Sequence, residues 1–165
     1  MILYFAYGSN MDPARLFEDR MAKAGVAWGR RIGARLDGWR LAFDKPWSKY
    51  KGAAVATIRP APGGVVHGTL NELGSRGLDV LDSYEGVAGG HYRRLDVSVF
   101  ADGRAVIATT YIAVADPVPG LRPTTAYLAH LLAGRDLLPP VYWEGLKRIE
   151  TADASKVNSG TALRS

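Results

Sequence analysis

The chain has 165 residues, 47% hydrophobic and 22% charged, and this ordinary globular composition excludes both disorder and a fibrous repeat. It has no cysteine, which excludes disulfides, thiolate metal sites and cysteine nucleophiles and fits a reducing cytoplasm. The apolar N-terminal run lacks the flanks of a signal peptide, and no segment approaches the roughly 20 apolar residues of a membrane span. We therefore expect a cytoplasmic protein with no membrane partner.

The net charge of +5 raises the alternative of a nucleic-acid-binding domain. The basic residues are dispersed rather than gathered in one block, which is more typical of solvated strand faces. We therefore expect no nucleic-acid partner and keep DNA binding as the weaker alternative. The dispersed residues are Arg30, Arg31, Arg35, Arg40, Lys45, Lys49, Lys51, Arg93 and Arg94.

The first predicted unit is a strand, a turn and a helix. Residues 2–7 are apolar and aromatic and lead into a glycine, which favours a short buried strand followed by a turn. Asp12 is typical of a helix N-cap and Pro13 of the first helical position. The helix is expected to reach about residue 23.

Paired short strands are predicted next, because residues 29–70 alternate apolar segments with Gly and Pro. Residues 60–64 have the composition and spacing of a hairpin turn, so the strands on either side of them are expected to pair antiparallel. Residues 46–52 show no clear period and are a candidate flexible loop. The strands predicted after the first are residues 30–36, 39–44, 53–58, 65–70, 92–100 and 104–114.

A helix over residues 75–84 is predicted from apolar residues at helical spacing, with Gly86 as its terminator. Glu85 therefore lies at a helix end or in the loop after it. Further along, Asp102-Gly103 is a strong hairpin signal between two alternating segments.

Two helices follow in the prediction. One is capped by Thr124 or Thr125 and ends near residue 137, and the other opens at Pro139 or Pro140 and ends near residue 149. Residues 151–165 are expected to form a mobile tail. We predict a single α+β domain over residues 1–150, whose mixed, largely antiparallel sheet curls into a small β-barrel flanked by three to four helices.

Metal and nucleophile chemistry find little support in the sequence. The three histidines fit no close ligand spacing such as HExxH. Ser9 does not lie in a GxSxG elbow, and the glycine pairs fit neither GxGxxG nor a Walker motif. We therefore expect no metal and no cofactor.

The first candidate site is Tyr7-Gly8-Ser9-Asn10, where a strand ends in a turn before a helix. Backbone N–H groups and two short polar side chains can converge there on a small anion or an oxyanion. An ordinary strand-to-helix turn has the same composition, so the local chemistry leaves both interpretations open.

The second candidate is Glu85, which lies between an aromatic residue and a glycine at a predicted helix C-terminus. Burial and the negative end of the helix dipole should both raise its pKa, which would suit a general base near neutral pH. A solvated glutamate at a helix end is the open alternative.

Together the two segments resemble the signatures of the γ-glutamylcyclotransferase, or AIG2-like, family. The signatures are Tyr4-Phe5-Ala6-Tyr7-Gly8-Ser9-Asn10-Met11 and Leu81-Asp82-Ser83-Tyr84-Glu85-Gly86-Val87. Shorter similarities follow in matching order, among them the segment Ala54-Val55-Ala56-Thr57-Ile58. The resemblance extends over about residues 2–150, and the divergent residues 47–52 leave the substrate open.

The resemblance implies an enzyme that releases 5-oxoproline from a γ-glutamyl amino acid or a γ-glutamyl amine, without metal or cofactor. Glu85 would be the catalytic base for attack of the substrate's α-amine on its own γ-carbonyl. A homodimer is compatible with the resemblance, and a non-catalytic ligand-binding or interaction module on the same fold is the alternative. For Tyr92 and Tyr127, core packing is the alternative role. The implied substrate-binding residues are Tyr4, Phe5, Ala6, Tyr7, Gly8, Ser9, Asn10, Tyr92 and Tyr127.

Overall fold

Five β-strands close into a barrel in the computed structural model, which describes residues 1–152. Their order around the barrel is β1-β3-β2-β4-β5. Neighbouring strands pair antiparallel except β1 and β5, which are parallel. The predicted α+β fold with a mixed, largely antiparallel barrel is therefore confirmed. The strands are β1 (Ile2–Ala6), β2 (Trp28–Pro46), β3 (Ala54–Leu73), β4 (Tyr92–Ala101) and β5 (Arg104–Ala113).

Four helices flank the barrel within the described residues. The first (Ala14–Met21) is a π-helix between two short 3₁₀ turns (Ser9–Met11 and Ala22–Ala24), and it lies where the sequence predicts a helix. None of the helices within residues 1–152 is long and apolar enough to cross a membrane. The α-helices are α1 (Gly77–Glu85), α2 (Thr125–Leu132) and α3 (Pro140–Lys147).

The last two helices start as predicted and end early. The Thr124 hydroxyl accepts a hydrogen bond from the Tyr127 N–H at 3.1 Å, which caps α2. This helix ends at Leu132 rather than near residue 137, because the chain leaves the helix in a series of tight turns around Gly134. Pro140 opens α3, which ends at Lys147.

Residues 28–73 contradict the predicted pattern of four short strands with a hairpin turn. Both halves of β3 pair with β2, and the register passes from Asp37↔Val65 to Trp39↔Pro60. Residues 61–64 therefore lie opposite Gly38 as a bulge, so the segments on either side of them belong to one strand. Proline and glycine suit bulges as well as turns, which is why the local composition is ambiguous.

The barrel interior and the helix stripe form one apolar core. Phe5, Ile58 and Val99 are buried in the barrel, and Leu16 and Met21 from the π-helix are buried against it. The DG hairpin is present as predicted, with positive φ at both Asp102 (54°) and Gly103 (76°).

The predicted mobile tail lies outside the described residues except for Thr151 and Ala152. The Ala152 N–H donates to the Pro123 carbonyl at 2.7 Å, and Ala152 forms a parallel bridge with Thr124. The chain is therefore hydrogen-bonded to the start of α2 up to residue 152.

Candidate active site

Two adjoining cavities lie beside the end of β1, and they share Ser9, Glu85, Tyr92 and Tyr127 as lining residues. The inner chamber, about 30 Å³, is walled mainly by tyrosines and by the turn after β1. The outer cavity, about 190 Å³, is walled by cations and by the chain after β2. Further lining residues of the inner chamber are Tyr4, Tyr7, Gly8, Asn10, Ala56 and Tyr111. Those of the outer cavity include Arg15, Arg20, Lys45, Trp47, Ser48, Val55, Tyr84 and His91.

The C-terminal cap of α1, in which Gly86 has a left-handed backbone conformation, fixes Glu85 between the two cavities. Gly86 has φ +62°, its N–H donates to the Ser83 carbonyl at 3.4 Å, and the Val87 N–H donates to the Asp82 carbonyl at 3.1 Å. These two bonds form the Schellman arrangement that ends a helix. A side chain at Gly86 would be strained by the positive φ and would also collide with His91. The segment Glu85-Gly86-Val87 is thus a helix stop that holds the carboxylate at the last residue of α1.

A polar network surrounds the Glu85 carboxylate. The buried Asn10 amide donates to the Tyr4 hydroxyl at 3.0 Å and to Glu85 Oε1 at 3.4 Å. Arg20 Nη1 donates to Asn10 Oδ1 and lies 3.9 Å from Glu85 Oε1. The Arg20 guanidinium also lies 4.4 Å from the centre of the Tyr84 ring, which fixes it as a cation over an aromatic face. Glu85 is therefore oriented by one amide and balanced by one buried cation.

The pKa of Glu85 is raised above its usual range because burial disfavours the charged carboxylate. Arg20, Arg15 and Lys45 act in the opposite direction, since each cation favours the charged form. The predicted upward direction is confirmed, and the three opposing cations are an addition that the sequence did not reveal. A carboxylate with a raised pKa is a stronger base than an ordinary glutamate, which suits it to take a proton from a substrate.

Two tyrosine hydroxyls hold the backbone of Ala56 in the inner chamber. The Ala56 N–H donates to the Tyr127 hydroxyl at 3.0 Å, and the Tyr92 hydroxyl donates to the Ala56 carbonyl at 2.7 Å. Burial raises the pKa of Tyr127 to about 12 and raises that of Tyr92 as well, so both phenols stay neutral. These tyrosines are packed in the core and also line the cavities, and their contact with a substrate stays a prediction.

Ala56 lies opposite a β-bulge in β2. The β2–β3 register passes from Ala42↔Thr57 to Lys45↔Val55, which leaves Phe43 and Asp44 opposite Ala56. One extra residue in β2 therefore interrupts the strand ladder at that point. The same extra residue places Lys45 opposite Val55, and both side chains line the outer cavity.

Most residues predicted for the site come together in the structure. Phe5 and Ala6 are exceptions, because neither lines a cavity. The Phe5 ring lies on the side of β1 that faces Gly68, and Ala6 is buried where β1 pairs with Thr69. Those that line one or both cavities are Tyr4, Tyr7, Gly8, Ser9, Asn10, Glu85, Tyr92 and Tyr127.

Sequence reasoning missed the cationic wall of the outer cavity. Arg20 lies four residues after Leu16 and is only 7% exposed, so a charge in the apolar stripe of the first helix was the available signal. Lys45 was interpreted as part of a solvated strand face, and this is wrong, because the residue is also only 7% exposed. Its burial follows from the bulge, which no local pattern indicates.

The segment after β2, predicted as a flexible loop, covers one side of the outer cavity. The Trp47 ring lies 5.9 Å from the Tyr127 ring and 4.7 Å from the Tyr50 ring, measured between centres. The Trp47 N–H donates to the Ala53 carbonyl at 2.9 Å, which closes the loop on itself. These contacts make Trp47 a wall of the cavity.

Several of the dispersed basic residues are neutralised by acidic neighbours on the surface. Arg31 pairs with Asp136 at 2.7 Å, Arg35 with Asp37 at 2.9 Å, and Arg94 with Asp82 at 2.7 Å. Acidic neighbours therefore balance the charge of these three arginines locally.

The sequence is similar to proteins of one family. The profile of the AIG2-like family matches residues 65–146. γ-Glutamylcyclotransferase from Homo sapiens is 30% identical over 155 residues, which cover 92% of this chain and 80% of the human protein. γ-Glutamylcyclotransferase from Bos taurus is 30% identical over 158 residues, with the same two coverages of 92% and 80%.

The fold is also similar to solved structures. A γ-glutamyl cyclotransferase superposes with a TM-score of 0.77 at 25% identity, and an uncharacterized protein from Homo sapiens superposes with a TM-score of 0.78 at 27% identity. Each alignment covers 96% of both chains. This chain therefore belongs to the γ-glutamylcyclotransferase family, which is a family of enzymes. The membership predicted from the two motifs is confirmed.

Proposed function

We propose that this enzyme cyclises the γ-glutamyl unit of a γ-glutamyl compound and releases 5-oxoproline and an amine. The observation that carries the proposal is the position of Glu85, which is held by a helix cap on the wall shared by the two cavities and has a raised pKa. A base placed there can reach a substrate that extends from one cavity into the other.

In the proposed reaction Glu85 takes a proton from the α-ammonium group of the substrate. The freed amine attacks the γ-carbonyl carbon, and a C–N bond forms as the carbonyl oxygen takes negative charge. Glu85 then returns this proton to the departing nitrogen, and the original C–N bond breaks as the carbonyl re-forms. The ring nitrogen loses its second proton by the same route, so the amine leaves as an ammonium ion and 5-oxoproline keeps one N–H. The attack is intramolecular, so the main task of the site is to hold the γ-glutamyl unit with its reacting atoms close together.

The turn after β1 is suited to the γ-glutamyl unit. Gly8 and Ser9 line the inner chamber, and a Cβ added to Gly8 would lie 3.6 Å from the Tyr127 hydroxyl. The backbone can therefore approach a ligand closely at Gly8, and its amides are proposed to stabilise the charge that develops on the carbonyl oxygen. The inner chamber of about 30 Å³ is proposed to take the carbonyl oxygen, and the rest of the γ-glutamyl unit and the leaving group extend into the outer cavity of about 190 Å³.

The test is release of 5-oxoproline from a panel of γ-glutamyl amino acids and γ-glutamyl amines, measured with and without a chelator. We expect release from some members and no effect of the chelator. Glu18, which is exposed on the π-helix, provides a matched control, so Glu18→Gln should keep the activity that Glu85→Gln loses. Binding of γ-glutamyl compounds without release would instead support the non-catalytic alternative.

Two further properties stay predictions. We propose a cytoplasmic location, supported by the cysteine-free composition and testable by fractionation of the host cells. The homodimer that is compatible with the family resemblance is tested by light scattering coupled to size-exclusion chromatography.

A further inference from the structure

His130 connects α2 to the wall of the outer cavity. Its Nδ1 lies 2.8 Å from Asp12 Oδ2, and its Nε2 lies 3.5 Å from Arg15 Nη1. Asp12 lies in the turn before the π-helix, where its other carboxylate oxygen accepts a hydrogen bond from the Ala14 N–H at 3.1 Å. The imidazole therefore lies between a carboxylate and a guanidinium, and it joins α2 to the π-helix.

These two neighbours assign the proton on the imidazole ring. A carboxylate accepts hydrogen bonds, so the Nδ1–H of His130 donates to Asp12. A guanidinium only donates hydrogen bonds, so Nε2 must keep its lone pair in order to accept from Arg15. The arrangement suits the neutral ring alone, because a second proton would turn Nε2 into a donor that faces a donor.

Arg15 has little else to hold its side chain in place. Its Nε is buried and has no hydrogen-bond partner among residues 1–152, and its side chain lines the outer cavity. The contact described for its guanidinium is the one with His130. A long side chain keeps its rotamer freedom unless a contact fixes it, so the position of this charge depends on the histidine.

The position of the Arg15 charge matters to the reacting carboxylate. Burial raises the pKa of Glu85, and Arg20 and Arg15 oppose that change because each cation favours the charged form. Burial and the Arg15 charge also lower the pKa of Arg20. A displaced Arg15 would therefore alter the electrostatic balance on Glu85.

We propose that His130 is a positioning residue, whose neutral imidazole holds the Arg15 guanidinium on the wall of the outer cavity. The inference rests on the proposed function, because Arg15 acts on the reaction through the Glu85 carboxylate. His130 lies three residues after Tyr127 on α2, so the two side chains share one face of the helix. This face thus provides both a wall of the cavity and the support of one of its cations.

The first test examines the imidazole directly and needs no enzyme activity. Nitrogen NMR chemical shifts of the His130 ring, assigned by comparison with His130→Leu, report which nitrogen carries the proton. We expect a neutral ring at neutral pH, with the proton on Nδ1 and none on Nε2. A ring that is protonated on Nε2 would overturn the proposal, whether or not the protein releases 5-oxoproline.

The second test follows the acid limb of kcat/KM, whose position depends on the charges around Glu85. The cations that favour ionised Glu85 are Arg20 and Arg15 from the π-helix and Lys45 from β2, so a displaced Arg15 should move the limb to higher pH. His130→Leu should therefore lower kcat/KM on that limb by roughly 3- to 10-fold, since one pH unit corresponds to about tenfold in ionised base. The effect is limited because the contact between His130 and Arg15 is long for a hydrogen bond.

Three further variants complete the design. His130→Gln keeps an oxygen that can accept from Arg15 and cannot take up a proton, so it should restore most of the wild-type profile. Arg15→Met should move the limb in the same direction as His130→Leu, and adding His130→Leu to it should cause no further movement. His67→Leu changes a histidine outside both cavities, whose ring centre lies 5.0 Å from that of Tyr142, and should leave the profile unchanged.

Additive effects of His130→Leu and Arg15→Met would overturn the proposal, because the histidine would then act independently of the arginine. A limb that does not move in His130→Leu would overturn it as well, and so would a movement that His130→Gln does not reverse. Wild-type protein that releases no 5-oxoproline from the panel would overturn the proposed function, and the nitrogen chemical shifts would then decide the contact of His130 with Arg15 separately.

Discussion

The inner chamber and the outer cavity are lined by chemically different groups. Tyrosines, an asparagine and backbone groups of the turn after β1 wall the inner chamber, and their hydrogen bonds engage one another. The outer cavity has arginine and lysine side chains that come from separate elements. A neutral, internally bonded wall suits one fixed substrate unit, whereas a charged wall selects among substrates. We infer that chemistry and selectivity occupy separate regions, and that Glu85 serves at their boundary.

The largest loss of activity is expected from changing Glu85, which lines both the inner chamber and the outer cavity. Glu85→Gln keeps the shape of the side chain and removes the base, so turnover should fall by about 10²- to 10⁴-fold on every substrate. Because the folded pKa of Glu85 is raised, ionisation of the group disfavours the folded state as the pH rises through that pKa. The variant should therefore be at least as stable as wild type at neutral pH in thermal unfolding. Near wild-type turnover would refute the assignment of Glu85.

Gly8→Val should damage the inner chamber and thus reduce kcat/KM for all substrates alike. A Cβ at Gly8 meets Ala56 Cβ at 3.5 Å and the Tyr127 hydroxyl at 3.6 Å, which are ordinary contacts, so Gly8→Ala should be mild. The γ-methyl groups of valine extend beyond that Cβ and would press on Ala56 and Tyr127. The φ of Gly8 is −114°, so the expected loss comes from space and not from left-handed backbone. A selective loss on one substrate class would contradict the separation of the two regions.

The third prediction concerns pH and the cation at the boundary. In wild type, the acid side of the pH profile of kcat/KM should rise with an apparent pKa above the ordinary range of glutamate. The corresponding acid limb in the profile of kcat should lie at lower pH, because the bound substrate ammonium favours ionised Glu85. Arg20→Met removes a charge that favours ionised Glu85, so its acid limb in kcat/KM should move to higher pH. The variant should therefore lose more activity on the acid side than on the alkaline side.

Several groups face Glu85, and each limits how the Arg20 result is interpreted. Arg15 shares the π-helix with Arg20, Lys45 comes from β2, and the neutral groups Asn10 and Tyr4 come from the turn and from β1. Glu85→Gln provides the control, since the limb should disappear in it. A limb that stays in place in Arg20→Met, or that persists in Glu85→Gln, would mean that another group titrates.

The smallest effect is expected behind the inner chamber, where Asp82 fastens α1 to the barrel. Asp82 accepts hydrogen bonds from Arg94 at 2.7 Å and from the Tyr111 hydroxyl at 2.7 Å. Asp82→Asn should reduce the free energy of unfolding by about 1 kcal/mol at neutral pH, a modest amount because the pair is partly exposed. Asp79→Asn, which changes a more exposed partner of Arg94, should have less effect.

The pH dependence of that loss has a defined direction. The hydrogen bond from Arg94 holds the pKa of Asp82 below its usual range, with help from Tyr111 and against the effect of burial. Stability from such a group is present above its ordinary pKa and is lost as the pH falls through its folded value. Chemical unfolding at several pH values should therefore show wild type and Asp82→Asn converging in acid. A constant difference across that range would exclude the charge of Asp82 as the cause.

The features of the fold and of the site that the sequence predicts are those determined by residues adjacent in the chain. Gly86 stops α1 after Glu85, and the DG pair at residues 102–103 turns one hairpin, because a positive φ is a local requirement. Residues 60–64 are predicted as a hairpin turn because turns and bulges use the same residue types. The two interpretations differ only in pairing, and in the structure the segments on both sides pair with β2 around Gly38. Arg20 and Lys45 reach the site through tertiary packing, which no local pattern records.

The bulge in β2 has a consequence for where this fold can change its length. Side chains alternate between the two faces of a strand, so losing one residue within a regularly paired stretch exchanges the faces of everything that follows. The bulge is different, because Ala42 and Lys45 are three residues apart while their partners Thr57 and Val55 are two apart. Removing either Phe43 or Asp44 would make the two spacings equal and restore an unbroken ladder, with Lys45 still opposite Val55 beside the cavity. We therefore expect chain length to vary among homologues at this point rather than in the paired stretches on either side.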